Sequence, residues 1–323
     1  MKVLFGPAPM RDIPHCYAPL LAEAGLELVY PPFARQMTED ELFAHLPECV
    51  ASLAGSEPYT RRVIEAGAKA GLRVIARAGV GYDAVDVPAA TDNGVVVTYA
   101  PGSNHEAVGE HALLLVLALA KNLVWQHAET AAGNWPRKAQ HPVREKTLGV
   151  IGLGRTGKAT ALRALAFRMN VIACDPYVDP EFARRHNISL LPLDDVLQWS
   201  DFLSLHVPLT PETRNLIRAD TLARMKSEAV LVNTSRGEVV HEADLVEALR
   251  SKRIAAAGLD VFEHEPLRDH PLQSLPNVIL TAHTAGVDFR SREDMARFAA
   301  EAIVDVLAGR WPAERIVNPE VRT

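Results

Sequence analysis

Three side chains suited to acid–base and anion chemistry stand in the last third of the sequence, each just after an apolar run. Arg236 ends "AVLVNTSR", Glu265 lies in the segment after "AAAGLDVF", and His283 follows "NVIL". A guanidinium can fork to a carboxylate or polarise a carbonyl group. A histidine can take a hydroxyl proton and return it, and a glutamate bonded to that histidine orients it and favours its protonated form. These residue types indicate proton transfer on a small oxo or hydroxy acid.

Each of these residues also has an ordinary structural interpretation. Arg236 could pair with a structural acid, Glu265 could be a solvated loop charge, and His283 could be a core histidine bonded to a backbone carbonyl. Strand ends at one edge of an open parallel sheet are where ligand sites lie. The chemical interpretation is therefore favoured only if the same sheet carries a second site signal.

A glycine-rich segment supplies that signal. "GLGRTG", Gly152 to Gly157, directly follows the strand-like run "TLGVI" and opens the helix-like run "KATALRALAF". The G-x-G-x-x-G pattern alone is weak, but this context is that of a dinucleotide site. Gly152 permits a tight turn, Gly154 lets the backbone approach a pyrophosphate, and Gly157 lets helix and strand pack closely. The helix N-terminus offers free N–H groups to the phosphates.

The sequence favours NAD over NADP. Asp175 ends the next strand-like run, "NVIACD", 18 residues (175 − 157) after the last glycine. A carboxylate there accepts hydrogen bonds from ribose hydroxyls and repels a 2′-phosphate. The segment that follows, "PYVDPE", holds no Arg or Lys. A solvated turn residue is the alternative interpretation of Asp175.

Strand-like and helix-like segments alternate along the chain, which predicts an α/β protein with parallel sheets. A length of 323 residues suits two domains. We expect two Rossmann/flavodoxin-like domains. The final amphipathic helix is too short for a domain and is expected to return to the first one. This predicts a substrate-binding domain of residues 1–100 plus 288–323 and an NAD-binding domain of residues 101–287.

Local patterns predict how two helices begin. Thr38 and Glu41 form a candidate capping box, as do Ser103 and Glu106. The second box is expected to open one long helix, apolar nearly all round and therefore buried on several sides. Its run "HALLLVLALAK" is far below the ~20 residues that a membrane span needs.

Composition argues against several classes of protein. Lys and Arg total 34 and Asp and Glu total 40, a net charge of −6, whereas nucleic-acid binding needs a basic surface. The three cysteines are odd in number and lack metal-ligand spacing. The start "MKVLFGPAPM" indicates a strand rather than a signal peptide. We expect a cytoplasmic protein with no metal site and no nucleic-acid or membrane partner.

An ordered set of motifs resembles the D-isomer-specific 2-hydroxyacid dehydrogenases over essentially the whole length, closest to the short phosphoglycerate dehydrogenase-like branch. The motifs are "RAGVGYDAVD", "PGSNHEAVGEH", "GVIGLGRTG", "HVPLTPET", "VNTSRGEVV", "GLDVFEHEP", "TAHTAG" and "IVNP". The resemblance implies reversible hydride transfer between NAD(H) and a small 2-hydroxy or 2-oxo acid. It also implies an active-site cleft between the two domains and a homodimer with the helix after "PGSN" in the interface.

The same resemblance assigns site residues. It implies a catalytic triad of Arg236, Glu265 and His283, with Asp260 facing the nicotinamide. The implied cofactor contacts are Gly152, Gly154, Arg155, Thr156, Gly157, Asp175, His206, Val207, Pro208, Thr213, Thr234, Ser235, Asp260 and Ala285. The implied substrate contacts are Ala78, Gly79, Val80, Gly81 and Arg236.

The sequence departs from the family pattern outside the triad. Tyr82 stands where a smaller residue is common and Ala84 where an asparagine is usual. Ala107 replaces a frequent serine and His241 a common aspartate. The first three departures bear on substrate fit or domain closure.

The identity of the substrate stays open among 3-phosphoglycerate, glyoxylate and hydroxypyruvate types. A phosphate needs cationic groups. In the loop expected to face the substrate the nearest charge is Glu57, and Arg61 and Arg62 fall in the next helix. This disfavours a phosphorylated substrate, although Arg77 and Arg137 are other cations that it could use. We expect no regulatory domain after "VNP" of the kind that longer members carry.

Two other functions suit the same scaffold. One is an NAD-sensing, corepressor-like binding protein, although the sequence has no extra tail to recruit partners. The other is oxidation of phosphite or another small anion. Formate is disfavoured because formate enzymes of this superfamily lack the glutamate that Glu265 supplies.

Overall fold

The structure is a computed structural model that describes residues 1–32, 35–178 and 180–322, the last without its side chain. It divides into two compact units. Unit 1 is the described part of Met1–Asn104 and Val287–Thr323, and unit 2 is the described part of His105–Gly286. The first division thus lies four residues beyond the predicted 100/101, and the second lies one residue before 287/288. Unit 1 keeps the turn after residue 100 because Ser103 Oγ donates to Ala100 O and Ala100 N donates to Gly79 O.

Within its described residues, unit 1 has one sheet of five parallel strands in the order β2-β1-β3-β4-β5. The strands are β1 (Lys2–Phe5), β2 (Glu27–Val29), β3 (Ala51–Ala54), β4 (Val74–Arg77) and β5 (Val96–Thr98). The connecting helices are α1 (Ala18–Glu23), α2 (Glu39–His45), α3 (Arg61–Lys69) and α4 (Val87–Asp92). This strand order is that of flavodoxin-like sheets, as predicted. The register pairs Val3 with Leu28 on one side and with Ala51 on the other.

Within its described residues, unit 2 has one sheet of seven parallel strands in the order β12-β11-β10-β9-β6-β7-β8. The strands are β6 (Thr147–Ile151), β7 (Asn170–Cys174), β8 (Ser189–Leu190), β9 (Phe202–Leu205), β10 (Val230–Asn233), β11 (Ala256–Leu259) and β12 (Val278–Leu280). The helices are α5 (His105–Ala120), α6 (Leu123–Ala131), α7 (Arg155–Ala166), α8 (Pro180–Arg185), α9 (Leu193–Trp199), α10 (Ala219–Leu222) and α11 (Glu242–Arg250). The order changes direction at β6, the strand that precedes the glycine-rich turn.

The prediction of one long helix after "PGSN" is wrong. The chain forms α5 and α6, bent by 58°. The break lies at Asn122, whose φ of 47° is left-handed, and Asn122 and Lys121 hydrogen-bond across to Gln140 and His141 O. No single helix in the described ranges is long and apolar enough to cross a membrane, although the bent pair α5–α6 meets the same length and composition test.

Helix starts follow side-chain capping where the geometry allows. The box at Thr38 and Glu41 forms as predicted and begins α2. The box predicted at Ser103 and Glu106 does not form. Ser103 Oγ bonds back to Ala100 O, and the helix begins two residues later, at His105.

Both sheets are covered on their two faces, which is why their strands are apolar throughout rather than alternating. In unit 1 the long C-terminal helix α12 (Phe289–Leu307) packs Met295, Ala299 and Ile303 against apolar strand residues. In unit 2 the buried face of α5, with Leu115 and Val116, covers one side of its sheet. Short 3-10 helices lie at Ala8–Met10, Pro14–Cys16, Leu46–Glu48, Gly237–Val239, Pro271–Ser274, Ala313–Arg315 and Pro319–Arg322.

Candidate active site

The carboxyl edge of the unit 2 sheet collects the predicted residues in spatial order. Because the strands are parallel, the segments after β12, β11, β10, β9, β6 and β7 are neighbours along one edge. The residues on these six segments are His283, then Asp260 and Glu265, Arg236, His206, the Gly152–Gly157 turn and Asp175. The candidate acid–base residues therefore follow three adjacent strands, and the glycine-rich turn lies two strands further along.

The glycine-rich turn between β6 and α7 is shaped by close backbone approaches. Gly152 has a φ of 91°, and a Cβ there would lie 2.6 Å from His206 O. A Cβ on Gly157 would lie 2.0 Å from Gly152 O. Neither position has room for a side chain, so strand, turn and helix pack directly on one another.

Gly154 is different, because its surroundings are open. It is the N-cap of α7, with extended backbone at φ −72° and ψ −157°. A Cβ on Gly154 would meet no described atom within 4 Å. The turn thus leaves a backbone cradle at the start of a twelve-residue helix, beside Arg155 and Thr156. A pyrophosphate fits such a cradle, since the helix N-terminus presents N–H groups and a positive dipole.

Asp175 supports the turn from the end of β7. Its Oδ2 accepts from Leu153 N at 2.7 Å, and its Oδ1 accepts from Tyr177 N at 2.8 Å. Each carboxylate oxygen keeps a further acceptor site. Asp175 therefore can hold the glycine-rich turn and still accept from ribose hydroxyls, the role predicted for it.

The segment after β9 contains a buried histidine. His206 Nε2 bonds to Ser204 Oγ at 2.8 Å, and among the described residues no partner is found for its Nδ1. Burial lowers the pKa of His206 to about 4, so the ring is neutral near pH 7. The loop from Val207 onward is closed by Thr213, whose Oγ1 donates to Pro208 O at 2.6 Å.

The segment after β10 is held by Asn233, which sequence reasoning missed. Asn233 Oδ1 accepts from both N and Oγ of Ser235, and Asn233 Nδ2 donates to Arg236 O at 2.8 Å. The Oγ1 of Thr234 is buried, with no partner found in the described part of the chain. The orphaned polar atoms of Thr234 and His206 and the open cradle at Gly154 all lie on this edge. They fit a large polar ligand such as a dinucleotide.

Gly237 brings the Arg236 segment against the Glu265 segment. A Cβ on Gly237 would lie 1.9 Å from the carbonyl carbon of Phe262 and 2.3 Å from Glu263 N. Those atoms are backbone and cannot rotate away. The absence of a side chain here is what lets the Arg236 segment pack directly against the backbone that leads to Glu265.

His283 and Glu265 are paired. His283 Nδ1 lies 2.7 Å from Glu265 Oε2, and Glu265 Oε1 accepts from Phe262 N at 3.0 Å. Burial alone would raise the pKa of Glu265. The His283 and Phe262 hydrogen bonds and the Arg236 charge outweigh it and lower that pKa below its usual range. Glu265 is therefore ionised near neutral pH and is suited to orient and stabilise a protonated His283.

Asp260 holds the turn that carries His283. Its carboxylate is buried and accepts from Thr281 Oγ1 at 2.6 Å, Thr284 N at 2.9 Å and Ala285 N at 2.8 Å. Its backbone carbonyl accepts from His283 N at 2.8 Å. His283 itself has a φ of 53°, a left-handed conformation that costs a non-glycine residue energy. Four hydrogen bonds to Asp260 thus hold the turn that carries the imidazole.

Comparison with known proteins shows which family the chain resembles. The sequence profile described as "D-isomer specific 2-hydroxyacid dehydrogenase, NAD binding domain" matches residues 113–285. A glyoxylate reductase of Korarchaeum cryptofilum is 38% identical over 317 residues, covering 93% of this chain and 94% of that protein. The chain belongs to the D-isomer specific 2-hydroxyacid dehydrogenases.

Other members of the family are similar over different lengths. A D-3-phosphoglycerate dehydrogenase of Methanocaldococcus jannaschii is 41% identical over 289 residues, covering 88% of this chain and 55% of that protein. The chain thus spans about half the length of the phosphoglycerate dehydrogenases that it matches. D-lactate dehydrogenase from Aquifex aeolicus, solved with NAD and lactic acid, has a TM-score of 0.87 and 26% identity, covering 98% and 99% of the two chains. Unit 2 of this chain is an NAD-binding domain.

The predicted substrate loop lies in unit 1. Ala78, Gly79, Val80 and Gly81 directly follow β4. Arg77 Nε donates to Gly81 O at 3.0 Å, and Ala78 N donates to Ala54 O at 2.8 Å. The loop is therefore held at both ends, and its role toward substrate stays a prediction.

Glu57 is not a solvent-facing loop charge. It is 1% exposed and accepts from Gly55 N at 2.7 Å. A Cβ on Gly6 would lie 2.6 Å from Glu57 Oε2, which shows how closely the carboxylate sits against the end of β1. Burial raises the pKa of Glu57. Its position at the β1–β3 junction could not be inferred from the loop sequence "GSEPYTRR".

The loop that carries Glu265 has a second brace that sequence reasoning missed. Glu242 N donates to Glu263 Oε1 at 2.9 Å, and Glu263 N donates to Glu242 Oε1 at 2.8 Å. His270 Nε2 lies 3.3 Å from the other Glu242 oxygen. Reciprocal bonds of this kind tie the start of α11 to the loop. Glu263 belongs to the motif "GLDVFEHEP", but Glu242 lies outside every motif, so no local signal marks the pair.

Proposed function

We propose that this chain catalyses the NAD-dependent, reversible oxidation of a small D-2-hydroxy acid to the corresponding 2-oxo acid. The observation that carries the proposal is the 2.7 Å pair between His283 Nδ1 and Glu265 Oε2. This pair lies on the same sheet edge as the Gly152–Gly157 cradle. An acid–base group and a dinucleotide cradle on one edge are what hydride transfer coupled to proton transfer requires.

In this mechanism His283 moves the proton. Its Nδ1 is engaged by Glu265, so Nε2 is the nitrogen that meets the substrate. In oxidation the hydroxyl proton passes to Nε2 as the hydride leaves the carbon that bears the hydroxyl group. In reduction Nε2 returns the proton to the carbonyl oxygen. The Gly152–Gly157 turn and Asp175 would hold the cofactor, which as NAD would accept the hydride and as NADH would donate it.

Glu265 and Arg236 complete the proposed site. Ionised Glu265 stabilises the imidazolium that forms when His283 takes the proton. Arg236 presents a planar guanidinium from the adjacent strand end, suited to a substrate carboxylate or carbonyl. Its Nη1 is anchored on Ser235 O at 2.6 Å. This anchor orients the planar guanidinium.

Within the substrate range, the glyoxylate or hydroxypyruvate type is favoured over 3-phosphoglycerate. Arg61 pairs with Asp92 at 3.0 Å, and Arg62 pairs with Asp40 at 2.9 Å. Arg77 is buried and donates to backbone carbonyls. These cations of unit 1 are engaged in local contacts, whereas a phosphate needs cations of its own. The chain is similar to a glyoxylate reductase over nearly the whole length of both proteins, which also favours a substrate without phosphate.

The proposed assembly is a homodimer. Leu114 on α5 and Leu123 and Val124 on α6 are 52%, 54% and 59% exposed, and Trp135 just beyond is 79% exposed. Apolar side chains this large, grouped on one helix pair, suit a protein–protein contact. A second copy of the chain is the occupant that the family resemblance implies. Sedimentation should give twice the 35.2 kDa chain mass, and Leu123→Asp should shift it towards the monomer.

The decisive experiment is a substrate panel followed by NADH absorbance. It contains glyoxylate, hydroxypyruvate, phosphohydroxypyruvate and pyruvate with NADH, and phosphite and D- and L-2-hydroxy acids with NAD in the oxidative direction. Turnover is expected with 2-oxo acids and with D- but not L-acids. His283→Ala should lower kcat by about 10²–10⁴-fold, the usual contribution of a general acid–base group. His264→Ala, an exposed neighbour of Glu265, is the matched control and should keep wild-type rates.

Each result of the panel separates the hypotheses. No turnover with any acid, together with tight NADH binding, would refute the enzyme and favour an NAD-sensing binding protein. Turnover of phosphite alone would reassign the substrate class. An unchanged rate in His283→Ala would remove His283 from the mechanism, whatever the substrate.

A further inference from the structure

A second histidine of unit 2 reaches the turn that carries His283. His111 lies on α5, and its side chain is 16% exposed. Its Nε2 lies 3.0 Å from Thr281 Oγ1, across 170 residues of sequence. The same Nε2 lies 3.7 Å from Asp260 Oδ1. The residue belongs to none of the predicted catalytic, cofactor or substrate contacts.

The hydrogen-bond directions in this chain of contacts can be assigned by counting hydrogens. Two backbone N–H groups, of Thr284 and Ala285, already donate to the Asp260 carboxylate, so that group is the acceptor. Thr281 Oγ1 lies 2.6 Å from Asp260 Oδ1 and donates its single hydrogen there. The hydroxyl oxygen can then only accept from His111. His111 Nε2 therefore carries a hydrogen.

This donation has a mechanical consequence for the site. It fixes the Thr281 hydroxyl in the rotamer that points to Asp260. Asp260 in turn accepts from the two residues after His283 and, through its backbone carbonyl, from His283 N. His283 has left-handed backbone geometry, with a φ of 53°, and it holds that geometry only while its neighbours are held.

We propose that His111 is a positioning residue for His283, acting through Thr281 and Asp260. The proposal rests on the acid–base role given to His283 under the proposed function. His111 touches neither His283 nor, in this mechanism, the reacting atoms. It sets where the imidazole stands when the proton moves. A displacement of about 1 Å at a reacting group can lower a rate about 10²-fold.

The kinetic test compares three variants of the full-length protein. His111→Leu removes the donor, and His111→Gln keeps an N–H donor at about the reach of Nε2 without the imidazole. His141→Leu, at an exposed position outside α5 and α6, is the matched control. We expect His111→Leu to lower kcat about 10- to 100-fold while KM for NADH changes less than about threefold. His111→Gln should recover most of the loss, and His141→Leu should behave as wild type.

The second test needs no activity. Nitrogen-15 NMR of the histidine side chains in the wild-type protein, with the His111 signals identified by their loss in His111→Gln, reports which ring nitrogen is protonated. A protonated Nε2 is expected, and a ring protonated at Nδ1 alone would overturn the inference. A wild-type kcat in His111→Leu would overturn it too while leaving the proposed function intact. If the wild type turns over no acid, the proposed function fails, and the NMR result still decides the hydrogen-bond network.

Discussion

Two glycines of the turn between β6 and α7 should respond oppositely to the same added methyl group. A Cβ on Gly154 meets nothing within 4 Å, whereas a Cβ on Gly157 lies 2.0 Å from Gly152 O. We therefore expect that the first position is kept small by its ligand, whereas the second is kept small by protein packing. Replacing each glycine by alanine separates these causes.

The expected free energies of unfolding follow from local geometry. Gly154 has extended backbone open to any residue, and alanine there gains about 0.4–1 kcal/mol from the unfolded state. It loses a similar amount, about 0.5–1 kcal/mol, because alanine is a poor N-cap. Gly154→Ala should thus melt within a few degrees of wild type. Gly157→Ala gains about 1 kcal/mol of helix propensity. Overpacking opposes that gain, and for a contact this short it costs about 1–3 kcal/mol or more.

NADH affinity should rank the two variants in the opposite order, with the larger loss in Gly154→Ala. The Gly154 methyl enters the cradle proposed for the pyrophosphate, so we expect NADH affinity to fall at least tenfold, about 1.4 kcal/mol. Fluorescence titration with NADH and thermal melting with and without NADH measure both quantities. Wild-type NADH affinity in Gly154→Ala would refute the placement of the phosphates. A melting loss as large as that of Gly157→Ala would refute the claim that the position is open.

Three further substitutions test other parts of the structure. Burial lowers the pKa of His206 from 6.5 to about 4, so the unfolded chain takes up the proton first. The free energy of unfolding is therefore undiminished by His206 above about pH 6.5, and it falls as the pH drops towards 4. Between pH 7 and pH 5 the wild type should lose about 2 kcal/mol more than His206→Asn in urea titrations, and equal losses would contradict the burial argument. Gly237→Ala should push the Phe262 backbone away and lower kcat about 10²-fold, and a wild-type rate would show that the loop yields freely. Asn318→Ala leaves Val97 N and Val95 O without their partner. It should lower the unfolding free energy of unit 1 by about 2–4 kcal/mol, measurable by hydrogen exchange at β5, where unchanged protection would contradict that cost.

The parts of the fold that could be predicted from the sequence are those with local causes. Apolar runs separated by glycine- and proline-containing turns predict buried parallel strands, and both sheets have that form. The glycine-rich turn could be assigned because the strand, the three glycines and the helix are consecutive in sequence, and Gly157 contacts Gly152 O within the turn itself. The capping box at Thr38 formed for the same reason, since both partners lie within one helical turn.

The features that escaped prediction depend on distant or competing contacts. Glu57 looks like an exposed loop charge until Gly6, some fifty residues earlier, is seen beside it. Ser103 has the sequence of a cap, but its hydroxyl points back to Ala100 O, to which it donates. The hydrophobic pattern runs on through Asn122, whose left-handed backbone ends α5. His111 meets Thr281 from 170 residues away. Patterns in sequence carry no information on such pairings.

The structural role of Asp260 could not be predicted from its residue type alone. The family resemblance assigns it to the nicotinamide, yet its carboxylate already accepts three hydrogen bonds from the segment around His283. The left-handed backbone of His283 costs about 1–2 kcal/mol. Hydrogen bonds to a charged acceptor contribute about 1.5–3 kcal/mol each, so the network exceeds the strain severalfold. A carboxylate at position 260 is thus required to hold the acid–base histidine in place, before any contact with cofactor is considered.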